Sequence, residues 1–327
     1  MSAPRAVGVR TPYAAVPARV RAWVEASLGS PVVTAADQVG GMSPGCATRL
    51  VCADGTRAFV KAVGHELNPH TPHLFRREAH ALSLIGEHPL WAGLRAVLDE
   101  PDGWVALLLE DVPGPHPDLL SDAARDALTA ATDELCVMLR ERVPVLPEPD
   151  PGLGVADPPR ESGVIGAWSE GLAHAAEVSP TLMPRWVVER RDDLAAAAAR
   201  LMAACTEDRL AHWDIRDDNL RTRPDGSIVF VDWGGTIRGS AWTDPLIARL
   251  EGVEASWFDR SVAACPALQD LGEELVTAFL VVIGTYLAWR AETAVDVNLP
   301  TLNDFRRTES ARFLAGAARR LGVHAAS

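Results

Sequence analysis

Apolar residues return at helical spacing through Val16, Val20, Trp23, Val24 and Leu28, and Gly29 stops the run, which predicts one amphipathic helix near the start of the chain. The pattern then shortens to strand length. Residues 31–39, 48–53 and 57–63 are rich in branched and aromatic side chains and read as strands. Gly40, Gly41 and Gly45 punctuate the first gap, and Asp54-Gly55 makes a tight hairpin turn in the second. A helix is expected over 74–86, then strands over 94–99 and 104–110 with Asp102-Gly103 as the turn between them. Five strands and a helix fill the first third.

Beyond Pro113-Gly114-Pro115 the chain becomes alanine-rich and helix-favouring as far as Val143. That proline-rich stretch is taken as a boundary between residues 1–112 and 113–327. Residues 144–160 hold many prolines and no periodic segment, as expected of an ordered surface loop. Helical patterning resumes over 160–177 and 186–205. A polar segment follows, then a turn at Pro224-Asp225-Gly226 and a short apolar strand over 227–231. From Pro245 onward the pattern is again mostly helical. The longest apolar stretch, 276–289, is interrupted by Thr277, Gly284 and Thr285 and falls short of the roughly 20 residues of a membrane span, so it reads as a buried helix.

Composition adds the setting. Of 327 residues 48% are hydrophobic and 23% charged, the balance of a soluble globular protein with a sizeable core. The first 20 residues alternate Arg and Pro with small side chains and carry no continuous apolar run of a secretory signal, so a cytoplasmic location is expected. Five widely spaced cysteines with no C-x-x-C pair suggest neither a disulfide framework nor a zinc site. A net charge of −13 argues against a nucleic-acid partner. The same charge keeps the chain soluble and would attract a cationic small molecule.

The chemistry concentrates in His212-Trp213-Asp214-Ile215-Arg216-Asp217-Asp218-Asn219, followed after a turn and a strand by Val231-Asp232-Trp233-Gly234. Phosphoryl transfer needs metal ligands, a cationic clamp and a carboxylate aimed at the attacking hydroxyl. Asp214 suits the carboxylate, and Asn219 and Asp232 are hard oxygen donors suited to Mg2+. The hairpin between them would bring Asn219 and Asp232 together.

H-x-D-x-x-x-x-N followed by a strand ending in D-x-G resembles the catalytic and metal loops of the kinase-like superfamily, and in detail is similar to the aminoglycoside phosphotransferase family. The resemblance implies a bilobal α+β, protein-kinase-like fold: an N-terminal antiparallel sheet with a helix, and a mainly α-helical C-terminal lobe. It implies that Lys61 grips the nucleotide phosphates with Glu78 as its ion-pair partner, and that the loop carrying Gly41 and Ser43 closes over the phosphates. Residues 107–114, with Glu110 and Val112, look like the hinge where main-chain groups pair with a purine.

The implied activity is Mg2+-dependent transfer of the terminal phosphate of ATP or GTP to a hydroxyl of a small molecule. The acceptor would be an aminoglycoside-like or other hydroxylated antibiotic, with a resistance role, or else a sugar, a choline-like alcohol or an amino-acid hydroxyl. A nucleotide-binding regulator without catalysis is the rival of another class. The family often has H-G-D-x-x-P-G-N, whereas Trp213, Asp217 and Asp218 stand here. Trp213 is read as packing; Asp217 and Asp218, with Asp244, are candidate contacts to a cationic substrate. His212 is expected to brace the loop, Arg216 to bind a phosphate or lock the loop, and Trp242, Trp257 and Trp289 to pack the core.

Overall fold

The computed structural model describes residues 8–101, 103–150, 152, 154, 157–295 and 299–323. The first seven residues, Asp102 of the expected turn and part of the segment 144–160 lie outside the described residues. Helix α1 (Ala18–Leu28) begins after Pro17 and ends at Gly29, whose φ of 72° a side chain would disfavour. Strands β1 (Val32–Asp37), β2 (Cys46–Cys52) and β3 (Arg57–Gly64) follow, then helix α2 (Thr71–Ile85) and strands β4 (Leu94–Asp99) and β5 (Trp104–Leu109). They form one antiparallel sheet in the order β1-β2-β3-β5-β4.

Strand alternation divides the sheet between two cores. Ala58, Val60 and Ala62 of β3, with Trp104, Ala106 and Leu108 of β5, pack under Val20 and Val24 of α1. Val63, Val105, Leu107 and Leu109 point the other way, toward Phe75, Leu82 and Ile85 of α2. Lys61 therefore lies on the α2 side of the sheet, opposite Leu107 in register. On α2 the buried stripe Phe75, Glu78, Ala79, Leu82 and Ile85 contains one charged residue.

The remainder is mainly helical: α3 (Asp122–Arg142), α4 (Glu161–Ala173), α5 (Arg185–Glu189), α6 (Arg191–Ala203), α7 (Thr243–Arg249), α8 (Ser256–Ala263), α9 (Pro266–Leu271), α10 (Glu273–Thr293) and α11 (Leu302–Leu321). Between α6 and α7 run four short strands, β6 (Arg209–Ala211), β7 (Leu220–Thr222), β8 (Ile228–Phe230) and β9 (Ile237–Gly239), paired β6 with β9 and β7 with β8. The architecture is the expected bilobal α+β fold. The helix expected over 186–205 is instead two, because the chain bends at Arg190 (φ −107°, ψ 14°). Each piece buries its own residues, Trp186 and Val187 before the bend and Leu194, Ala197 and Leu201 after it.

Helix α10 is longer than the apolar run that announced it. By length and composition it could cross a membrane, but 61% of its most apolar window is buried, and it packs against α4, α6 and α11. Small residues permit that packing. A Cβ built on Gly171 of α4 would stand 2.3 Å from the Tyr286 amide nitrogen of α10. Gly171→Ala should therefore destabilise the protein by roughly 1–3 kcal/mol through forced separation of the two helices. Calorimetry checks this as a lowered Tm, and an unchanged Tm would refute the close approach.

Candidate active site

Three chain segments meet at Lys61. Its Nζ lies 2.7 Å from Glu78 Oε2 and 2.9 Å from Asp232 Oδ1, and the Trp233 amide donates to Glu78 Oε1 at 3.4 Å. Lys61 and Glu78 are 8% and 1% exposed, whereas the Asp232 side chain keeps 48% of its surface open to the cleft. Burial alone would lower the pKa of Lys61, but Asp232 and Glu78 outweigh it and hold the ammonium above its ordinary range. Burial likewise opposes ionisation of Asp232, and Lys61 overcomes it, so this carboxyl sits below the usual range. Both groups are charged at neutral pH.

The polar loop is shaped by the small strands around it. Pairing of Leu220 with Phe230, extended by the Val231 amide donating to Asn219 O at 3.0 Å, places Asn219 beside the segment that carries Asp232. Gly226, at φ 86°, and Asp225, which accepts from the Ser227 amide and hydroxyl, close the turn between them. Asp214 Oδ1 lies 2.8 Å from Arg216 Nε, and Asp214 Oδ2 accepts from Asn219 Nδ2 at 2.8 Å. Arg216 also reaches Asp218 at 3.3 Å, so it ties Asp214 and Asp218 together within the loop. Trp213 and Asp232 hold φ of 69° and 67°, a left-handed conformation that costs energy in non-glycine residues and aims both loops.

His212 is buried, accepts the Asp214 amide at Nδ1 and donates from Nε2 to Val231 O at 3.1 Å. Burial holds its pKa below the ordinary value, consistent with a neutral ring that braces both loops. Its own amide and that of Trp213 donate to Asp244 at 2.8 and 2.9 Å. Asp244 is thus 2% exposed and turned into the loop, which corrects its placement among the substrate contacts. A carboxylate is used there because two adjacent buried amides need acceptors.

Two cavities flank this loop. One of about 120 Å³ lies between the sheet and the loop and is lined by Gly40, Gly41, Lys61, Glu78, Asn219 and Asp232, with Glu110 and Val112 at its edge. The other, of about 240 Å³, is lined by Asp214, Arg216, Asp217 and Asp218 together with residues of α4, α10 and α11. Asp218 borders both. A more open cavity of about 630 Å³ beside Arg190, Glu273 and Arg319 contains none of the motif residues.

Several expectations shift. Ser43 does not border the smaller cavity; its hydroxyl accepts from the Gly45 amide and shapes the loop. The Glu110 side chain pairs with Arg223 at 3.0 Å, and its amide donates to Gly93 O at 2.8 Å. Trp213 is more than packing, because it borders the larger cavity and stacks on Trp168 at 5.2 Å. Trp242 and Trp257 are core residues, while Trp289 is only partly buried and stacks on His174. Arg10, Met42, Trp168, Ile283, Leu287 and Phe305 border the cavities without having been singled out, since no local motif marks them.

The donor set fits magnesium. Asp232 retains Oδ2 while Lys61 holds Oδ1, and Asn219, with its Nδ2 directed at Asp214, keeps its carbonyl oxygen as an acceptor. Among the described residues no group of three His, Cys, Asp or Glu side chains is arranged to hold a metal. A cation here would complete its shell with phosphate oxygens and water, as Mg2+ does.

No protein-family model matches the chain, and no curated protein matches it in sequence. Solved structures do match in fold. The apo form of a thermostable mutant of aminoglycoside phosphotransferase APH(4)-Ia superimposes with a TM-score of 0.59 at 12% identity, over 93% of this chain and 100% of that one. Choline kinase LicA from Streptococcus pneumoniae gives 0.59 at 13% identity over 92% and 98%. Amicoumacin kinase hAmiN, solved with AMP-PNP, Ca2+ and Ami, gives 0.51 at 12% over 84% and 87%. The protein has the kinase-like fold of these small-molecule kinases.

Asp244→Asn leaves one of the two loop amides facing an NH2 group instead of an acceptor. It should lower stability by roughly 1–3 kcal/mol, the cost of an unsatisfied buried donor. Urea unfolding measures this, and wild-type stability in the variant would contradict the bracing role.

Proposed function

We propose that this protein is a Mg2+-dependent phosphotransferase that moves the terminal phosphate of ATP or GTP to a hydroxyl of a small molecule. One observation carries the reading: a single loop system presents Asp214 to one cavity and Asn219 with Asp232 to the other, with Asp218 on both. A phosphate held in the smaller cavity and a hydroxyl held in the larger would meet at this loop. The complete polar set, and the named activities of the aminoglycoside, choline and amicoumacin kinases that share the fold, support an active enzyme over an inactive regulator.

Each residue then has a physical task. Asp214, held by Arg216 and Asn219, orients the acceptor hydroxyl and takes its proton. Lys61, kept charged and aimed by Glu78, draws in the phosphates. Magnesium at Asn219 and Asp232 would supply neutralisation of the charge on the transferring phosphate. The backbone around Gly41 covers the phosphates. The Glu110 amide and the Val112 carbonyl are engaged by Gly93 and Arg49, which leaves the Glu110 carbonyl and the Val112 amide for the base.

The acceptor cavity favours one chemistry among those expected. Trp168, Trp213, Ile283, Leu287, Phe305 and Phe313 make an apolar wall. Of the five carboxylates that border it, Asp214 and Asp218 pair with Arg216, Glu309 pairs with Arg312 at 2.7 Å, and Glu251 accepts the Asp217 amide at 3.1 Å. Burial pushes Glu251 up to about 7, with Asp217 adding to the effect. A polycation needs open carboxylates to replace its hydration. The wall suits a hydroxylated molecule with a sizeable apolar body, and the excess of carboxylates over Arg216 and Arg312 suits a cationic group on it.

Magnesium-dependent ADP release against aminoglycosides, other hydroxylated antibiotics, amino sugars and choline tests the activity. Asp214→Asn should lower turnover by about 10² to 10⁴-fold while Mg-ATP still raises the melting temperature. Near-normal turnover in that variant would remove Asp214 from the chemistry. On the acceptor found, Trp168→Ala should raise the acceptor KM by about 10-fold through lost apolar contact and leave the KM for ATP unchanged. An unchanged acceptor KM would place the acceptor elsewhere.

A further inference from the structure

Residues 8–11 run beside the glycine-rich loop and are tied to it from both sides. The Gly8 amide donates to Gly41 O at 3.1 Å, and the Thr11 amide and hydroxyl both donate to Pro44 O, at 3.0 and 3.1 Å. A short helical turn follows, where Tyr13 is buried and its amide donates to Asp37 Oδ1 at 3.0 Å. The same oxygen receives the Thr48 hydroxyl at 2.6 Å. This strap is therefore fixed to β1 and β2 by contacts that need no ligand.

Between its two ties the strap carries Arg10. The Arg10 Nε donates to the Gly40 carbonyl, and the guanidinium borders the same cavity as Lys61, Asn219 and Asp232. Its Nη2 stands 2.1 Å from where a Cβ on Gly41 would be, so Gly41 makes room for this side chain as well as adopting a φ of 81°. The attraction of Asp232 reaches the guanidinium and partly offsets the effect of burial. Arginine stays protonated in such surroundings.

We propose that Arg10 is a phosphate-binding residue: the strap delivers its guanidinium to the phosphates of the bound nucleotide, where it forms a two-cation clamp with Lys61. The proposal rests on the nucleotide reading of the cavity given above. Charge supports it. Lys61 is already shared by Glu78 and Asp232, two carboxyl groups for one ammonium at the place a polyphosphate must enter. Arg10 restores the balance, and with Nε held by a main-chain carbonyl its remaining donors can take phosphate oxygens in the bidentate manner guanidinium favours. Because the strap is anchored in advance, little ordering has to accompany binding.

The test compares wild type, Arg10→Gln and Arg10→Lys by titration calorimetry with Mg-ATP, Mg-GTP and the corresponding nucleosides, and records each Tm. Arg10→Gln should weaken binding of the preferred triphosphate by about 10-fold or more, leave its nucleoside unchanged and keep the wild-type Tm, with Arg10→Lys regaining part of the loss. Triphosphate binding within about twofold of wild type would overturn the proposal. Tighter binding would also overturn it and identify Arg10 as a plug that nucleotide displaces. Equal loss of triphosphate and nucleoside with a lowered Tm would make Arg10 structural. Failure of the wild type to bind any triphosphate would overturn the nucleotide reading itself, and the clamp with it.

Discussion

A lysine ammonium buried at the base of the cleft is the constraint around which the rest of the structure is arranged. Lys61 leaves the sheet on the face opposite α1, and burial there is tolerable because Glu78 and Asp232 meet it at 2.7 and 2.9 Å. Those partners come from α2 and from the segment after β8. Sheet, helix and loop must therefore reach their places together, since any one missing would leave a charge in a poorly solvated site. The Trp233 amide on Glu78 adds a second tie between α2 and the loop. The cluster is held by structure and still open on the Asp232 side, so the charge that fixes the lobes also faces whatever enters the cleft.

The same logic of satisfied buried groups shapes the polar loop. With Trp213 and Asp232 both in left-handed conformations, the loop cannot rest on backbone preference and depends on its neighbours. His212 between Asp214 and Val231 O, and Asp244 beneath two amides, supply that support. His116 adds to it, its Nδ1 lying 3.0 Å from both Asp217 O and Leu220 O. Asp214 is then held by Arg216 and Asn219 with little freedom left. A carboxylate so fixed can orient a hydroxyl without first being ordered by it.

Much of this was legible in the sequence, because its signals are local. The short runs of branched and aromatic residues set the sheet, the Asp54-Gly55 turn set a hairpin, and the short spacing from Asn219 to Asp232 implied the β7–β8 pairing that joins them. What was not legible depends on distant chain meeting in space. Asp244 looks like any acidic residue at the start of a helix until two loop amides are placed against it. The wall of the larger cavity is drawn from α4, α10 and α11, whose apolar residues carry the same pattern whether they face a core or a cavity. The break at Arg190 lies inside a continuous helix-favouring pattern, with no glycine or proline to announce it. Arg10 lies in a stretch of small and proline residues with no periodicity at all.

The glycine-rich loop shows why the two cavities are one device. Gly40 and Gly41 border the smaller cavity, and Met42, the next residue, borders the larger. On the opposite side Asp218 is shared in the same way. A loop of three consecutive residues cannot change its backbone at the smaller cavity without moving the side chain that borders the larger. Because residues 8–11 are hydrogen-bonded to this loop on both sides of Arg10, its position is set jointly by the strap and by β2. Coupling between the two halves of the cleft thus needs no long-range pathway, since one short segment forms a wall of each.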